Sequence, residues 1–338
     1  MAAGPREIGR QDLAGAAQFR RDVVEACQPV VIRGLVSGWP VVGAGLASPA
    51  ALQGYLAQFD AGLKTEVFAG EPGIAGKYFY NAGLDGFNFE RRSMSFGAAL
   101  ETIVSTLGVA GSATLYMGSQ PVAQYLPGFS AQNSLDLLDA AVGARIWLGH
   151  ASNVSSHYDT LDNLACVVAG RRRFTLYPPD AIGGLYAGPI DNTMAGQPVS
   201  LAASSPQDEH EYPRFGTVKG RALTAELEAG DALYLPKLWW HQVESLAPLN
   251  ALVNYWWDAF AAGPDAPYTS LLLSLIAIAE RPPEERKAWK AFFDHYVFRT
   301  QGHPLAHLPP AQHGLLGPLK PDNYRKIRAH IMRVLRGI

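Results

Sequence analysis

The spacing of apolar and polar residues changes twice along this chain, and the changes mark out its organisation. Over 11–28, Leu13, Ala17, Val24 and Cys27 recur at approximate helical spacing, and PVVIRG (29–34) follows as a β-branched run stopped by glycine. A helix and then a strand are predicted there. Segments 48–60 and 95–107 each begin on a serine and carry Leu, Ala and Phe at helical spacing, with Ser48-Pro49 placed as an N-cap followed by proline in the first helical position. From 112 to 260 the pattern shifts to short runs rich in Val, Ile, Tyr and Trp, separated by Gly, Pro and Asn: 113–117, 144–148, 164–169, 171–177, 232–235 and 251–257. Such runs predict a β-barrel or sandwich. Beyond Gly263-Pro264 helical spacing returns over 267–280, 283–298 and 321–336, where Ile327, Ile331 and Leu335 recur every fourth residue. The expected organisation is therefore helix-and-strand elements at 1–110 packing on a β core at 111–262, and a helical region at 263–338.

Composition narrows the class. At 338 residues with 48% hydrophobic and 17% charged, the chain is long and apolar enough for a sizeable core, and disorder is excluded. With 28 Lys+Arg against 30 Asp+Glu there is no bulk basic surface for nucleic acid, so small molecules or proteins are the expected partners. Cys27 and Cys166 lie far apart with no CxxC, against a disulfide scaffold, a zinc ribbon or an iron–sulfur site and in favour of a reducing cytoplasm. Residues 1–12 hold Arg6, Glu7, Arg10 and Asp12 without an apolar run, so no signal peptide is expected. LLLSLIAIA (271–279) is shorter than the roughly 20 residues that cross a bilayer, and reads as a buried helix. The basic residues Lys320, Arg325, Lys326, Arg328, Arg333 and Arg336 read as the solvated face of a helix rather than a contact surface.

The chemistry centres on SSHYD (155–159). In an extended strand, residues two apart point to one side, so His157 and Asp159 face the same spot and offer two metal ligands. A third comes from GDALYLPKLWWH (230–241), where a Gly-Asp turn opens a strand and proline stops it before His241. Either histidine alone reads more simply as a buried hydrogen-bonding residue. Together with Asp159 they form a 2-His-1-carboxylate set with three open positions on an octahedral ion, which suits non-haem Fe(II) better than zinc. A chelating cosubstrate such as 2-oxoglutarate fills two of those positions, and its distal carboxylate needs a cation inside the barrel. Alternation over 171–177 puts Arg172 with Phe174 and Leu176, and Arg171 and Arg173 on the other face. Arg172 is thus the expected inward charge, with a guanidinium fork suited to a carboxylate; the alternative is that all three arginines are solvated.

The blocks HYDTLDNLACVVAGRRRFTLYPPD (157–180), GDALYLPKLWWHQVESL (230–246) and LVNYWW (252–257), with PVVIRGLVSGWP (29–40), resemble the cupin-like JmjC Fe(II)/2-oxoglutarate-dependent hydroxylases, the group of the asparaginyl hydroxylase that inhibits hypoxia-inducible factor. The resemblance spans roughly 25–260. It implies a mainly β fold, a double-stranded β-helix (jelly-roll) with N-terminal α/β elements and C-terminal helices. It makes His157, Asp159 and His241 the iron ligands. Tyr116, in LYMGSQ, matches the tyrosine that contacts the distal carboxylate of 2-oxoglutarate, and Asn163 and Asn254 match amides near its chelating end. Arg172 stands where many members place lysine. Ser155 is the nearest match to a hydroxyl at the start of the HxD strand, offset by one. Tyr158 points away from the metal by alternation.

Trp239, Trp240, Trp256 and Trp257 either line a substrate cleft or, the commoner use, pack the barrel wall. Asp180–Phe215, punctuated by Gly183-Gly184, Pro189, Gly196-Gln197-Pro198 and Ser204-Ser205-Pro206, is expected to be a lid that selects substrate, with His210 as a contact. The other histidines are expected to be surface or core residues. The function expected is a dioxygenase that uses O₂ and 2-oxoglutarate to hydroxylate a protein side chain or small molecule, releasing succinate and CO₂. The alternatives are an N-methyl lysine demethylase of the same chemistry and a non-catalytic metal- or ligand-binding cupin. Homodimerisation through the C-terminal helices is expected by the resemblance, with intramolecular packing the alternative.

Overall fold

The computed structural model describes residues 3–190, 193, 196–204, 210–261, 263, 265–319 and 321–337. Pro264, Lys320 and the Ser205-Pro206 part of the expected lid lie outside the described residues. Twelve strands join in one sheet system. In chain order they are β1 (Arg6–Gly9), β2 (Val30–Arg33), β3 (Lys64–Gly70), β4 (Lys77–Tyr78), β5 (Glu90–Ser95), β6 (Thr114–Pro121), β7 (Ala144–His157), β8 (Asp162–Ala169), β9 (Arg171–Tyr177), β10 (Leu223–Glu228), β11 (Ala232–Leu235) and β12 (Trp240–Trp257).

The plan of the fold is written in β8, which is buried on both faces. Leu164, Cys166 and Val168 join Ile32, Tyr234 and Val253 in an outer core, closed by helical residues such as Leu52, Leu100 and Ile103. Ala165 and Val167 point the other way, into an inner core with Val31, Phe174, Leu176, Leu233, Val243 and Leu252. Period-2 alternation thus sorts one strand's side chains between a helix-covered outside and a barrel interior. The long strand β12 ties the walls together. Its residues 240–245 pair with β9, and 251–257 pair with β8, while β7 runs antiparallel beside it throughout. A register break between Ser245 and Leu249 lets the strand change partners. On the far side of β7, Gly149 lies under β6: a Cβ there would sit 2.7 Å from the Leu115 carbonyl and 2.9 Å from the Tyr116 ring. Only glycine permits that approach, which sets Tyr116 against the barrel wall.

The serine-initiated helices form as expected, at Pro49–Ala57 and Phe96–Ser105. Ser48 accepts from the Ala51 amide (3.0 Å) and Ser95 from the Ala98 amide (3.2 Å). Elsewhere the structure corrects the sequence reading. The helix expected over 11–28 is broken into a 3₁₀ turn (Arg10–Asp12), an α-turn (Ala16–Phe19) and a π-helical turn (Arg20–Val24). A helix at Pro40–Ala47 and the strands β3, β5 and β10 were not anticipated.

The chain divides into two units, Met1–Ala259 and Phe260–Ile338. The second carries helices Pro267–Ile278, Pro283–Tyr296 and Pro321–Leu335. The expectation that 271–279 is buried does not hold: Leu271, Leu272, Leu275 and Ile276 are exposed, Ile276 at 84%. Apolar residues run around that helix, so its pattern signals a preference for leaving water without supplying a partner. Among the described residues no helix is long and apolar enough to cross a membrane.

Candidate metal centre and cosubstrate cavity

Antiparallel pairing of β7 with β12 sets His157 directly opposite His241, and their rings lie 4.3 Å apart between centroids. Asp159 follows two residues beyond His157 on the same side. The ligand atoms of His157, Asp159 and His241 all lie within 4.8 Å of one another, with His241 Nε2 3.8 Å from Asp159 Oδ2. Each ring is aimed by the carbonyl two residues back. His157 Nδ1 is 2.8 Å from the Ser155 oxygen and His241 Nδ1 is 3.0 Å from the Trp239 oxygen. A carbonyl only accepts, so both Nδ1 atoms carry the proton and both Nε2 lone pairs are free to ligate. Burial first, and then the neighbouring His157, pulls the His241 imidazole down to about 4, which keeps it in the neutral, ligating form at physiological pH.

Asp159 is held from two directions. Its backbone carbonyl accepts from the Leu238 amide (2.8 Å), and Leu238 takes a left-handed φ of 68° to make that bond. Its Oδ2 accepts from the Trp256 indole (3.1 Å), over which Arg145 stacks at 5.8 Å. Trp256→Phe keeps the ring and deletes the donor. Metal affinity is expected to fall roughly 10-fold, the low end of the effect of partners around metal ligands; an equilibrium Fe(II) titration that matches wild type would show that the indole does not orient Asp159.

The three ligand side chains open into a cavity of about 110 Å³ with mostly apolar walls, among them Phe68, Trp147, Val154 and Leu252. Tyr116, Asn163, Arg172 and Asn254 line the same cavity. On β9 alternation works as the sequence predicts: Arg172 is buried while Arg171 is exposed and Arg173 pairs with Glu226 at the surface. Burial pushes the Arg172 guanidinium below its usual range, and the nearby Tyr116 hydroxyl works against that shift. Tyr116 is in turn pushed up by burial. Among the described residues, the Arg172 Nε and Nη2 atoms are buried with no hydrogen-bond partner. A buried cation with two open donors fits a ligand carboxylate, and a His₂ plus carboxylate set fits a divalent first-row metal.

Ser155 does not join the cavity: its hydroxyl donates to the Tyr78 carbonyl (2.8 Å), and only its own carbonyl serves the site, through His157. Tyr158 faces away and packs on Trp240 at 4.9 Å. Of the four tryptophans considered, Trp239 and Trp240 are buried in the wall and Trp257 packs on the outer core, while Trp256 lines the cavity. His210 is exposed and away from the lining. The segment Gln197–Ser200 runs over the candidate metal site, with the Ser200 amide on the Ser156 carbonyl (2.6 Å) and Val199 bridged to His157. Gln197 and Val199 line the cavity, and Gln197 Oε1 is buried without a partner among the described residues. Sequence reasoning missed Trp147 and Gln197 as site residues. Trp147 falls on the opposite face of a predicted strand from Ile146 and Leu148, the one signal that could have marked it.

A family model described as a cupin-like domain matches residues 16–263. The chain is 38% identical over 114 residues to Lysine-specific demethylase JMJ31 of Arabidopsis thaliana, a stretch covering 33% of this chain and 20% of that protein. It is 39% identical over 119 residues to Jumonji C domain-containing protein 5 of Drosophila melanogaster, covering 35% and 28%. With human HSPB1-associated protein 1 it shares 30% identity over 149 residues, covering 43% and 30%. The chain therefore spans less than a third of the length of these relatives.

Proposed function

Since the chain belongs to the cupin-like (JmjC) domain family of jelly-roll proteins, we propose that it is an Fe(II)- and 2-oxoglutarate-dependent dioxygenase that hydroxylates a protein side chain or a small molecule. The observation that carries this reading is one buried guanidinium with open donors in the same cavity as three convergent metal-ligand side chains. His157, Asp159 and His241 would hold the metal on one side, leaving the cavity side for cosubstrate and O₂. When bound, Fe(II) couples the decarboxylation of 2-oxoglutarate by O₂, which yields succinate and CO₂, to oxidation of a substrate C–H bond.

The chain's own work is positioning and exclusion of water. Arg172 and Tyr116 would take the distal carboxylate at the cavity floor. Asn163 and Asn254 would contact the chelating end. Phe68, Trp147, Val154 and Trp256 give apolar walls that keep solvent from the reacting centre. The strip Gln197–Ser200, lying over His157, would contribute to substrate selection, and the unpaired cysteines Cys27 and Cys166 suit a reducing cytoplasm.

Purified protein given Fe(II), 2-oxoglutarate and O₂ is expected to release succinate slowly without a primary substrate and faster with one. Folded, iron-loaded protein that releases none under either condition would count against the reading. The demethylase alternative draws support from the name of the Arabidopsis relative. Formaldehyde released in step with succinate from a methylated peptide would select it. We also propose that the second unit pairs with another copy of the chain through the exposed leucines of Pro267–Ile278. Light scattering on a sizing column is expected to give twice the chain mass, falling to one chain mass in Leu272→Glu/Ile276→Glu; a monomeric wild type would refute it.

A further inference from the structure

Trp147 sits mid-strand on β7 with its ring between Tyr116 (6.2 Å between centroids) and Trp256 (5.6 Å, edge-on), where wall packing would be a sufficient explanation for an aromatic residue. Its indole N–H does something packing does not require. Trp147 Nε1 donates to Asn254 Oδ1 at 2.6 Å, and Asn254 Nδ2 donates to Asn163 Oδ1 at 3.0 Å. All three residues line the cavity.

The direction of this chain of bonds follows from donor chemistry. An indole nitrogen donates and never accepts, so Asn254 must turn its oxygen toward Trp147. Its amide nitrogen is then committed to Asn163, whose oxygen is consumed in accepting it. Asn163 Nδ2 has no hydrogen-bond partner among the described residues and is left to the cavity. Without the indole, the two amides could reverse, with Asn163 Nδ2 donating to Asn254 Oδ1 and Asn163 Oδ1 facing the cavity. A side-chain amide turns over with almost no change of shape, so packing alone does not choose between these arrangements. For an anionic ligand the difference is a donor against a lone pair.

We propose that Trp147 is a positioning residue for the cosubstrate: its donor-only N–H sets the orientation of the Asn254 and Asn163 amides, so that a ligand carboxylate meets N–H groups at that wall and the Arg172 fork at the floor. This rests on the 2-oxoglutarate reading above. Trp147 touches no metal ligand through its N–H, so its effect belongs to cosubstrate affinity and not to metal affinity.

The test is anaerobic titration calorimetry of the whole Fe(II)-loaded chain with 2-oxoglutarate, in wild type, Trp147→Phe, Asn254→Ala and the double variant. Phenylalanine keeps an aromatic ring in place and removes only the donor and part of the ring area. Trp147→Phe is expected to weaken 2-oxoglutarate on the order of tenfold, the scale of one hydrogen bond to a charged group, with Fe(II) affinity and cooperative melting unchanged. In the Asn254→Ala background the same change should have no further effect, because the relay is already cut. Wild-type binding that is undiminished in Trp147→Phe, or losses that multiply in the double variant, would overturn the inference while leaving the cosubstrate reading intact. A wild type that holds Fe(II) but does not bind 2-oxoglutarate would overturn both.

Discussion

Arg172→Leu is expected to make the ligand-free protein at least as stable as wild type and to remove most of its affinity for 2-oxoglutarate. Arg172 is 3% exposed, burial disfavours its charged form, and among the described residues nothing hydrogen-bonds its Nε or Nη2. Desolvating a guanidinium without a counter-charge costs several kcal/mol in principle, and replacing such buried ionic groups by apolar residues is often neutral or stabilising by about 1–4 kcal/mol. Leucine would sit beside Phe174 and Leu176 in an apolar neighbourhood. The same substitution deletes the one cation that lines the cavity among the described residues, and truncating one side of a buried charge pair costs about 2–5 kcal/mol, so affinity should fall on the order of 10²-fold or more. Arg172→Lys should fall between, keeping the charge and losing the fork. Thermal melting and calorimetry on the same samples check both halves. A large loss of stability with unchanged 2-oxoglutarate affinity would make Arg172 a structural residue.

The second large effect is expected at Asp159. It is the one carboxylate among the three convergent ligands, and two donors hold it in place. Asp159→Ala removes the negative charge that offsets a divalent ion and leaves two imidazoles. The loss of metal affinity should exceed the roughly 10–100-fold typical of changes around ligands, and succinate release should drop to background. The fold should stay cooperative, because the carboxylate is partly exposed and the cores of Val31, Phe174 and Leu233 do not include it. Turnover that survives in Asp159→Ala would remove the residue from the metal site.

How much of this was legible in the sequence follows from the range of each signal. Period-2 alternation is local, and it correctly placed His157 and Asp159 on one side, Arg172 inside, and Tyr158 outside. The third ligand could be proposed because a Gly-Asp turn and a proline bracket a strand just before His241. What alternation does not carry is which strands become neighbours. Trp147 meets Asn254, and Trp256 meets Asp159, because β12 pairs with β7 and β8 along one half and with β7 and β9 along the other. The register break between Ser245 and Leu249 that permits this is marked locally by Pro248, which signals an irregularity in the strand but not which strands it will pair with. Two of the strands missed, KTEVFAG and ERRSMS, lie at one end of the sheet order and carry charges on an exposed face, so their apolar content is thin. The helix at 267–278 failed in the opposite way. Its apolar content is high, and the sequence has no means of distinguishing a residue buried in its own core from one displayed for a partner.

Ser155 shows the limit of assigning residues by position. Its hydroxyl is spent on the Tyr78 carbonyl, and the part of Ser155 that reaches the site is its backbone oxygen, a role any residue in that strand conformation would fill. By contrast, Asn163 and Asn254 need their side chains, and their orientation is settled by a tryptophan contributed from another strand.

The central claim is that one cavity holds a facial set of metal ligands and a carboxylate-binding cation for a chelating cosubstrate. Its most direct test is to load the protein with Fe(II) under anaerobic conditions, add 2-oxoglutarate, and record the visible spectrum, with His241→Ala as the control. The account predicts a metal-to-ligand charge-transfer band that appears on addition of 2-oxoglutarate and is absent in the control. Folded protein with iron bound and no such band would contradict it and point to a binding cupin or a different metal.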